Sequence, residues 1–328
     1  MRPFEYVSPE TSQQAVSLLG ASWGQTEILA GGTDVLALMK DDVIAPKRLV
    51  NIKDVKELRG VSATQQGLRI GALTTLGQLA DDATVTKDYP AFAEALIEAA
   101  SPQIRNMATI GGNLCQRPRC WYFRSGLGLL PRVELGKDVV AAGDNRYHSI
   151  LGNEGPAKFV SPSTLAPVLI AYNAKVRLEG PKGKRELPLE KFFITPKTPN
   201  EREHDLRPNE IVTEIVIPSA AGWRVAHYEL RQKAAFDWPL AVAAVALKGD
   251  AAKAESARVV LGYVAPVPWI SSEAEQALAG KAVNEQSAQA AARAALASAK
   301  PLSRNAYKVQ LARVALRRAI LKAAGGAA

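Results

Sequence analysis

Paired glycines followed by small polar residues occur twice in this sequence. They lie in Ile28-Leu29-Ala30-Gly31-Gly32-Thr33-Asp34-Val35-Leu36 and in Gln103-Ile104-Arg105-Asn106-Met107-Ala108-Thr109-Ile110-Gly111-Gly112-Asn113. Each pair follows a short apolar run, which predicts a buried strand delivering the backbone into a tight turn. Where side chains are missing, amide N–H groups approach an anion closely, and a diphosphate is held in this way. One such pair makes a turn and no more. Two of them, ending in Thr33-Asp34 and Asn113, point to a dinucleotide cradle built from separate loops. In that cradle the N–H groups of Gly31, Gly32 and Thr33, with the Thr33 hydroxyl, grip the diphosphate. Thr109, Gly111, Gly112 and Asn113 hold the other side. Asp34 is acidic beside a phosphate, so it is read as a cap of the following helix or a partner for ribose hydroxyls.

Other chemistry-bearing residues are sparse. Cys115 and Cys120 are the two cysteines, so no disulfide framework is required. His148, His204 and His227 make no metal-ligand spacing with one another, and a protein-built zinc site is not expected. No Ser-His-Asp set, paired carboxylates or activated cysteine is visible, which suits a chain that relays electrons. Lys plus Arg number 41 against 32 Asp plus Glu, a net charge of +9. These cations are dispersed until Arg313, Arg317, Arg318 and Lys322, which fall late in a predicted helix where they suit the C-terminal dipole. An anionic cofactor and an acidic protein partner account for the excess better than nucleic acid does. No run approaches the roughly 20 apolar residues of a membrane span. The start, Met1 to Val7, has no apolar signal core. A cytoplasmic chain is the expectation, with the alternative of periplasmic export, already folded, beside a signal-bearing partner.

The elements that must position these loops follow from punctuation and periodicity. Ser8-Pro9-Glu10 reads as a helix start, with Val16, Leu18 and Leu19 inside and Gly20 as its stop. Strands over 27–30 and 48–52 flank a short helix carrying Val35, Leu36, Leu38 and Met39, a β-α-β unit. A strand over 68–73 and a helix over 89–100, with Phe92, Leu96 and Ile97 on one face, come next. Residues 115–156 lose periodicity and gather proline and glycine, predicting a long irregular insertion that is functional or mobile. Ser163 begins a helix over 165–172, a strand over 175–178 turns at Pro181-Lys182-Gly183-Lys184, and a strand over 210–217 ends at Pro218. Ser219-Ala220-Ala221-Gly222 reads as a domain boundary. Strands over 223–231, 239–248 and 257–269 predict an antiparallel meander. Helices over 285–298 and after a cap at Ser303 or Asn305 close the chain, the last with Tyr307, Leu311 and Val314 toward the sheet. Three units result: 1–57, 58–220 with the 115–156 insertion, and 222–328.

Taken together, the two loops, the Gln103-Ile104-Arg105-Asn106 lead-in and the segment 163–167 resemble the FAD-binding medium subunit of molybdenum hydroxylases. That family includes xanthine dehydrogenases, carbon monoxide dehydrogenases and bacterial aldehyde oxidoreductases. The resemblance spans nearly the whole chain. It implies an α+β fold of the vanillyl-alcohol-oxidase (PCMH) type, two subdomains clasping FAD, and a C-terminal three-stranded antiparallel sheet with helices. It also implies a heterotrimer in which a large subunit with a molybdenum cofactor oxidises an aldehyde or heterocycle. A small subunit with two-iron clusters then passes electrons to the flavin, which delivers them to an external acceptor. Cofactor contact extends, by the same resemblance, to Leu29, Ala30, Val35, Arg105, Asn106, Ser163 and Thr164. Family position makes Arg231 and Lys233 the candidates for the cations beside the reduced, anionic ring, with solvated strand-end charges as the other reading of each. Arg105 is an anion partner or a structural ion pair, and Phe192 packs on the ring or in the core. Many relatives carry an aspartate where Thr164 offers a hydroxyl, and Thr164 is read as the N-cap of the following helix.

Within the family, Leu114-Cys115-Gln116-Arg117-Pro118-Arg119-Cys120-Trp121-Tyr122-Phe123 resembles the insertion of periplasmic aldehyde oxidoreductase flavin subunits, where four cysteines carry a four-iron cluster. Only Cys120 matches a ligand position, and the segments around Gly128, Val139 and Lys158 hold no cysteine. Such a cluster needs four thiolates, so none is expected here. Two further readings compete: a free-standing FAD-dependent oxidase or reductase, and a flavin-free scaffold subunit.

Overall fold

The computed structural model describes residues 1–131, 138–233 and 236–325, arranged in three sheets. The first is parallel: β1 (Glu5–Val7) and β2 (Thr26–Leu29) flank β3 (Arg48–Asn51). Its β2-helix-β3 half, with the Val35–Lys40 helix between the strands, is the β-α-β unit expected from the sequence. Strand β1 was not foreseen. The preceding helix runs Ser12–Leu18, and its cap is Thr11, whose hydroxyl accepts from the Gln14 N–H. The Ser8-Pro9-Glu10 start is therefore corrected, because the real cap sits one residue before the helix and Pro9 lies outside it.

The second sheet is antiparallel, in the order β4 (Val61–Thr64), β5 (Gly67–Gly71), β8 (Ile211–Pro218), β6 (Lys175–Gly180), β7 (Gly183–Pro188). Against it pack the helices Pro90–Glu98 and Leu165–Ala171, the second buried along its whole length. On the first of these, Phe92 and Leu96 are fully buried, but Ile97 is 59% exposed. Successive helical residues turn by about 100°, so a residue next to a buried one need not share its face.

In the third sheet, β9 (Trp223–Arg231), β10 (Pro239–Gly249) and β11 (Ala254–Gly262) form the expected antiparallel meander. The two-residue β12 (Trp269–Ile270) makes it four-stranded rather than three. Along β10 every residue from Ala241 to Leu247 is buried, since alternate side chains face opposite sides and both sides are covered. Ala244 and Ala246 join the core of the second sheet, while Ala243, Val245 and Leu247 join a core closed by the terminal helices.

The last helix, Tyr307–Ala323, has neither Ser303 nor Asn305 as its cap; Ala306 stands there, with no side-chain bond. Asn305 instead accepts from the Leu302 N–H and donates to the His148 and Ser149 carbonyls. The buried stripe is Lys308, Ala312, Ala315, Leu316, Ala319, Ile320 and Ala323, in place of Tyr307, Leu311 and Val314. Lys308 explains the misreading, because a lysine disguises the phase of an apolar stripe. Its ammonium donates to the carbonyls of Tyr147, His148 and Tyr263, and burial pulls it down to about 7. These contacts seat residues 145–149 of the insertion on the C-terminal unit. The insertion also includes residues 132–137, which lie outside the described residues.

Candidate functional site

The two glycine loops meet. A Cβ at Gly31 would fall 1.9 Å from the Met107 carbonyl oxygen and 3.2 Å from the Ala108 Cα, so the backbones are in direct contact. Gly32 has φ +76, a left-handed conformation that glycine adopts without strain. Around this junction lies a cavity of about 860 Å³, within the range of small-molecule and cofactor sites, roughly 300–1,000 Å³. Ala30, Gly31, Gly32, Thr33, Asp34 and Val35 line one side, and Thr109, Gly111, Gly112 and Asn113 another.

The loops offer different things. Among the described residues, the N–H groups of Gly31, Gly32 and Thr33 donate to no protein acceptor, and an open main-chain donor beside a cavity needs an oxygen to satisfy it. In the second loop the donors are spent. The Ile110 N–H donates to Thr74 and the Gly111 N–H to Ala72, each at 3.0 Å, and the Asn113 N–H to the Thr109 carbonyl at 2.8 Å. The Gly112 N–H donates to the Thr109 hydroxyl at 3.1 Å. No strand leads into it: Pro102–Met107 is a helix, Ala108 and Thr109 are extended, and a second helix, Ile110–Cys115, starts at a Thr109 cap. The expected second amide cradle is thus a capped helix start, which presents the Asn113 side chain. Ser163 Oγ donates to Asn113 Oδ1 at 2.7 Å and fixes that amide, although Ser163 itself does not line the cavity.

Several residues expected at the cofactor stand elsewhere. Leu29 is buried beneath Gly32, and Asn106 packs its side-chain oxygen against Gly77. Arg105 does not line the cavity and makes no ion pair among the described residues; its guanidinium donates to the carbonyls of Ile97, Ala99 and Ala100, closing the end of the preceding helix. Phe192 is fully buried against Phe193 and His204, in the core rather than at the cavity. Arg231 is held by Glu229 and Glu98, and Lys233 is exposed; neither lines the cavity. Thr164 lines it, but its hydroxyl bonds the Tyr263 hydroxyl at 2.9 Å. Thr164 stands at the N-cap position as expected but makes no side-chain cap bond; Ser163 Oγ instead accepts from the Ala166 N–H.

Asp34 stands at the N-cap position of its helix but makes no side-chain cap bond. Its carboxylate accepts from the Arg117 N–H and from Arg124, both at 2.8 Å, and pairs with Arg119 at 3.0 Å. Arg119 in turn lies over the Trp238 ring, 4.7 Å from its centroid. Sequence reading missed Arg117 and Arg119, Trp23 with Glu27 and Arg202, and Phe236 with Trp238, all of which line the cavity. The arginine-rich run Arg117-Pro118-Arg119 was the available signal. Arg202 pairs with Glu27 at 3.2 Å and lies over Trp23. Burial, with Glu203 and Asp34 nearby, pushes the Glu27 carboxyl up to about 7 against the pull of Arg117. Its contribution to stability is therefore complete below about 4.5 and is lost as pH rises through 7. Cys120 Sγ stands 3.2 Å from His148 Nε2. Burial raises that thiol and holds His148 down at about 4, so both are neutral at pH 7; Cys115 is pushed up to about 12.

The family described as FAD binding domain in molybdopterin dehydrogenase matches residues 2–220, and CO dehydrogenase flavoprotein C-terminal domain matches 226–323. The aldehyde oxidoreductase FAD-binding subunit PaoB of Escherichia coli (strain K12) is 32% identical, over 95% of this chain and 96% of its own. The carbon monoxide dehydrogenase medium chain of Hydrogenophaga pseudoflava is 31% identical, over 91% and 88%. A solved structure of carbon monoxide dehydrogenase from Hydrogenophaga pseudoflava superposes with a TM-score of 0.77 at 31% identity, covering 99% of this chain and 98% of that one.

Proposed function

We propose, from the premise that the chain belongs to the FAD-binding family of the molybdopterin dehydrogenases, that it is the flavin-carrying electron-transfer subunit of a molybdenum hydroxylase. The observation that carries this reading is the set of N–H groups without a protein acceptor at Gly31, Gly32 and Thr33, residues that line a cavity large enough for a dinucleotide. Bound FAD supplies a store that takes up electrons singly or in pairs. Gly31, Gly32 and Thr33 bind its diphosphate. Asn113, oriented by Ser163, offers its amide to the cofactor, and Phe236 and Trp238 add aromatic surface to the cavity lining. The two subdomains around that cavity are read as the PCMH arrangement. The partners are proposed to be a molybdenum-cofactor large subunit and a small subunit with two-iron clusters, with an aldehyde as the substrate class. Support comes from the likeness to PaoB, whose name specifies an aldehyde oxidoreductase.

The test is purification of the native complex. Expected are one FAD per copy of this chain, released by acid and identified by chromatography, and co-purifying chains carrying molybdenum and iron. A colourless protein that FAD does not reconstitute overturns the flavin role; turnover of an aldehyde by this chain alone overturns the relay role.

Glu27 gives the site a pH dependence. Burial pushes its carboxyl up to about 7, so across neutrality it gains a negative charge, partly offset by the paired Arg202, at the wall of the cavity proposed to take a diphosphate. FAD affinity is expected to fall between pH 6 and 8 by about threefold to tenfold, the effect of one like charge at partly screened range. Glu27→Gln flattens the profile in a fluorescence-quenching titration. An equally steep profile in the variant assigns the dependence elsewhere.

A further inference from the structure

Glu98 closes one wall of the cavity, and behind it His227 and Glu229 project from one face of β9 toward the end of the Pro90–Glu98 helix. The His227 side chain is fully buried and that of Glu229 nearly so. Among the described residues, His227 Nδ1 and Nε2, Glu98 Oε2 and Glu229 Oε2 are buried without a hydrogen-bond partner. A buried polar atom left unsatisfied is costly, and three of these, His227 Nε2 and the two carboxylate oxygens, converge on one place where a shared occupant would satisfy them together. His227 Nε2 lies 3.3 Å from Glu98 Oε2 and 3.6 Å from Glu229 Oε2, and the three ligand atoms fall within 4.8 Å of one another. A tetrahedral zinc ion with bonds of about 2.0–2.1 Å spaces its ligands about 3.3–3.4 Å apart, close to these separations.

We propose that His227, Glu98 and Glu229 form a site for a divalent first-row cation of the zinc class, tying the Pro90–Glu98 helix to the C-terminal sheet. One imidazole and two carboxylates suit such an ion, with a water in the fourth position. The surrounding charges are compatible with it. Arg231 contacts the other oxygen of Glu229 and stands 3.7 Å from the ligand atom Glu98 Oε2, beyond hydrogen-bond reach, so it competes with the cation by charge for that carboxylate. Lys322 is paired with Glu94 and donates to the His227 carbonyl. Two carboxylates against one nearby guanidinium leave a net negative charge for the ion. The competing occupant is a proton on His227, which bridges the carboxylates without metal. The site was hidden from the sequence because His227 finds its third partner on a distant helix.

The experiment uses the full chain with its flavin. Metal per chain is measured by mass spectrometry as isolated, then Co²⁺ is titrated after dialysis against chelator and followed by its visible d–d bands. Expected are about one zinc per chain and a tetrahedral Co²⁺ spectrum that Zn²⁺ abolishes. His227→Gln, with flavin content as the check on folding, weakens Co²⁺ binding by about 100-fold or more. Arg231→Gln tightens it by about tenfold, since an opposing charge is gone; this variant carries the test should His227→Gln fail to fold. Absence of retained metal together with absence of the Co²⁺ bands, in the native chain and in Arg231→Gln alike, overturns the proposal in favour of the proton-bridged cluster.

Discussion

Gly31→Ala is expected to yield a folded protein that leaves purification without its yellow colour. The added Cβ would sit 1.9 Å from the Met107 carbonyl oxygen and 2.7 Å from its carbon. Both are backbone atoms, so no rotamer relieves the overlap and the two loops must separate. Overpacking of this kind costs about 1–3 kcal/mol, which a chain of this size tolerates. The site does not, because displacing the open N–H groups of Gly31, Gly32 and Thr33 removes their aim at the diphosphate. FAD affinity should fall at least about 100-fold, equivalent to roughly 2.7 kcal/mol. Gly155→Ala is the control, since a Cβ there meets nothing within 4 Å. Flavin per chain and a titration of the apoprotein are the measurements, with circular dichroism for folding. Binding within a fewfold of the unaltered chain would show that the loops do not share one cofactor.

How much of this was legible follows from where each residue finds its partners. The β2-helix-β3 unit and the β9–β11 meander were readable, because apolar periodicity and turn residues are local signals. The second glycine loop was not. Thr109-Ile110-Gly111-Gly112 reads as a turn, yet Gly111 is there because a Cβ would meet the Ala72 Cβ at 2.9 Å, within a capped helix. A glycine that permits close packing and one that bends a chain look the same in sequence. The carbonyl contacts of Arg105 were hidden for a related reason. Its partners are three carbonyls at the end of the neighbouring helix, and a carbonyl leaves no trace in residue type. The most distant relations were wholly hidden: Asp34 finds Arg117 and Arg124 83 and 90 positions along the chain.

That last constellation yields the second large effect. Asp34→Ala should destabilise the fold by about 2–4 kcal/mol, because it strips one carboxylate from several donors at once. The Arg117 N–H and the Arg124 guanidinium lose acceptors at 2.8 Å, and Arg119 loses its ion pair. Asp34 and Arg124 have side chains 17% and 16% exposed, so water replaces these bonds poorly. Arg119 is 30% exposed and keeps its contact with Trp238, so Arg119→Ala alone should cost less, about 1 kcal/mol. Asp34 also sits directly after the open amides, so the variant should release the segment 117–124 from the cavity wall and weaken FAD binding as well. Arg124 donates besides to the carbonyls of Pro118 and Arg117, which makes the pair a unit. A double-mutant cycle of Asp34→Ala with Arg124→Ala, read by denaturant unfolding, should give a coupling energy of at least about 1.5 kcal/mol. Losses that add to within about 0.5 kcal/mol would mean that the two side chains act independently, and that the insertion is held to the first loop by something other than Asp34.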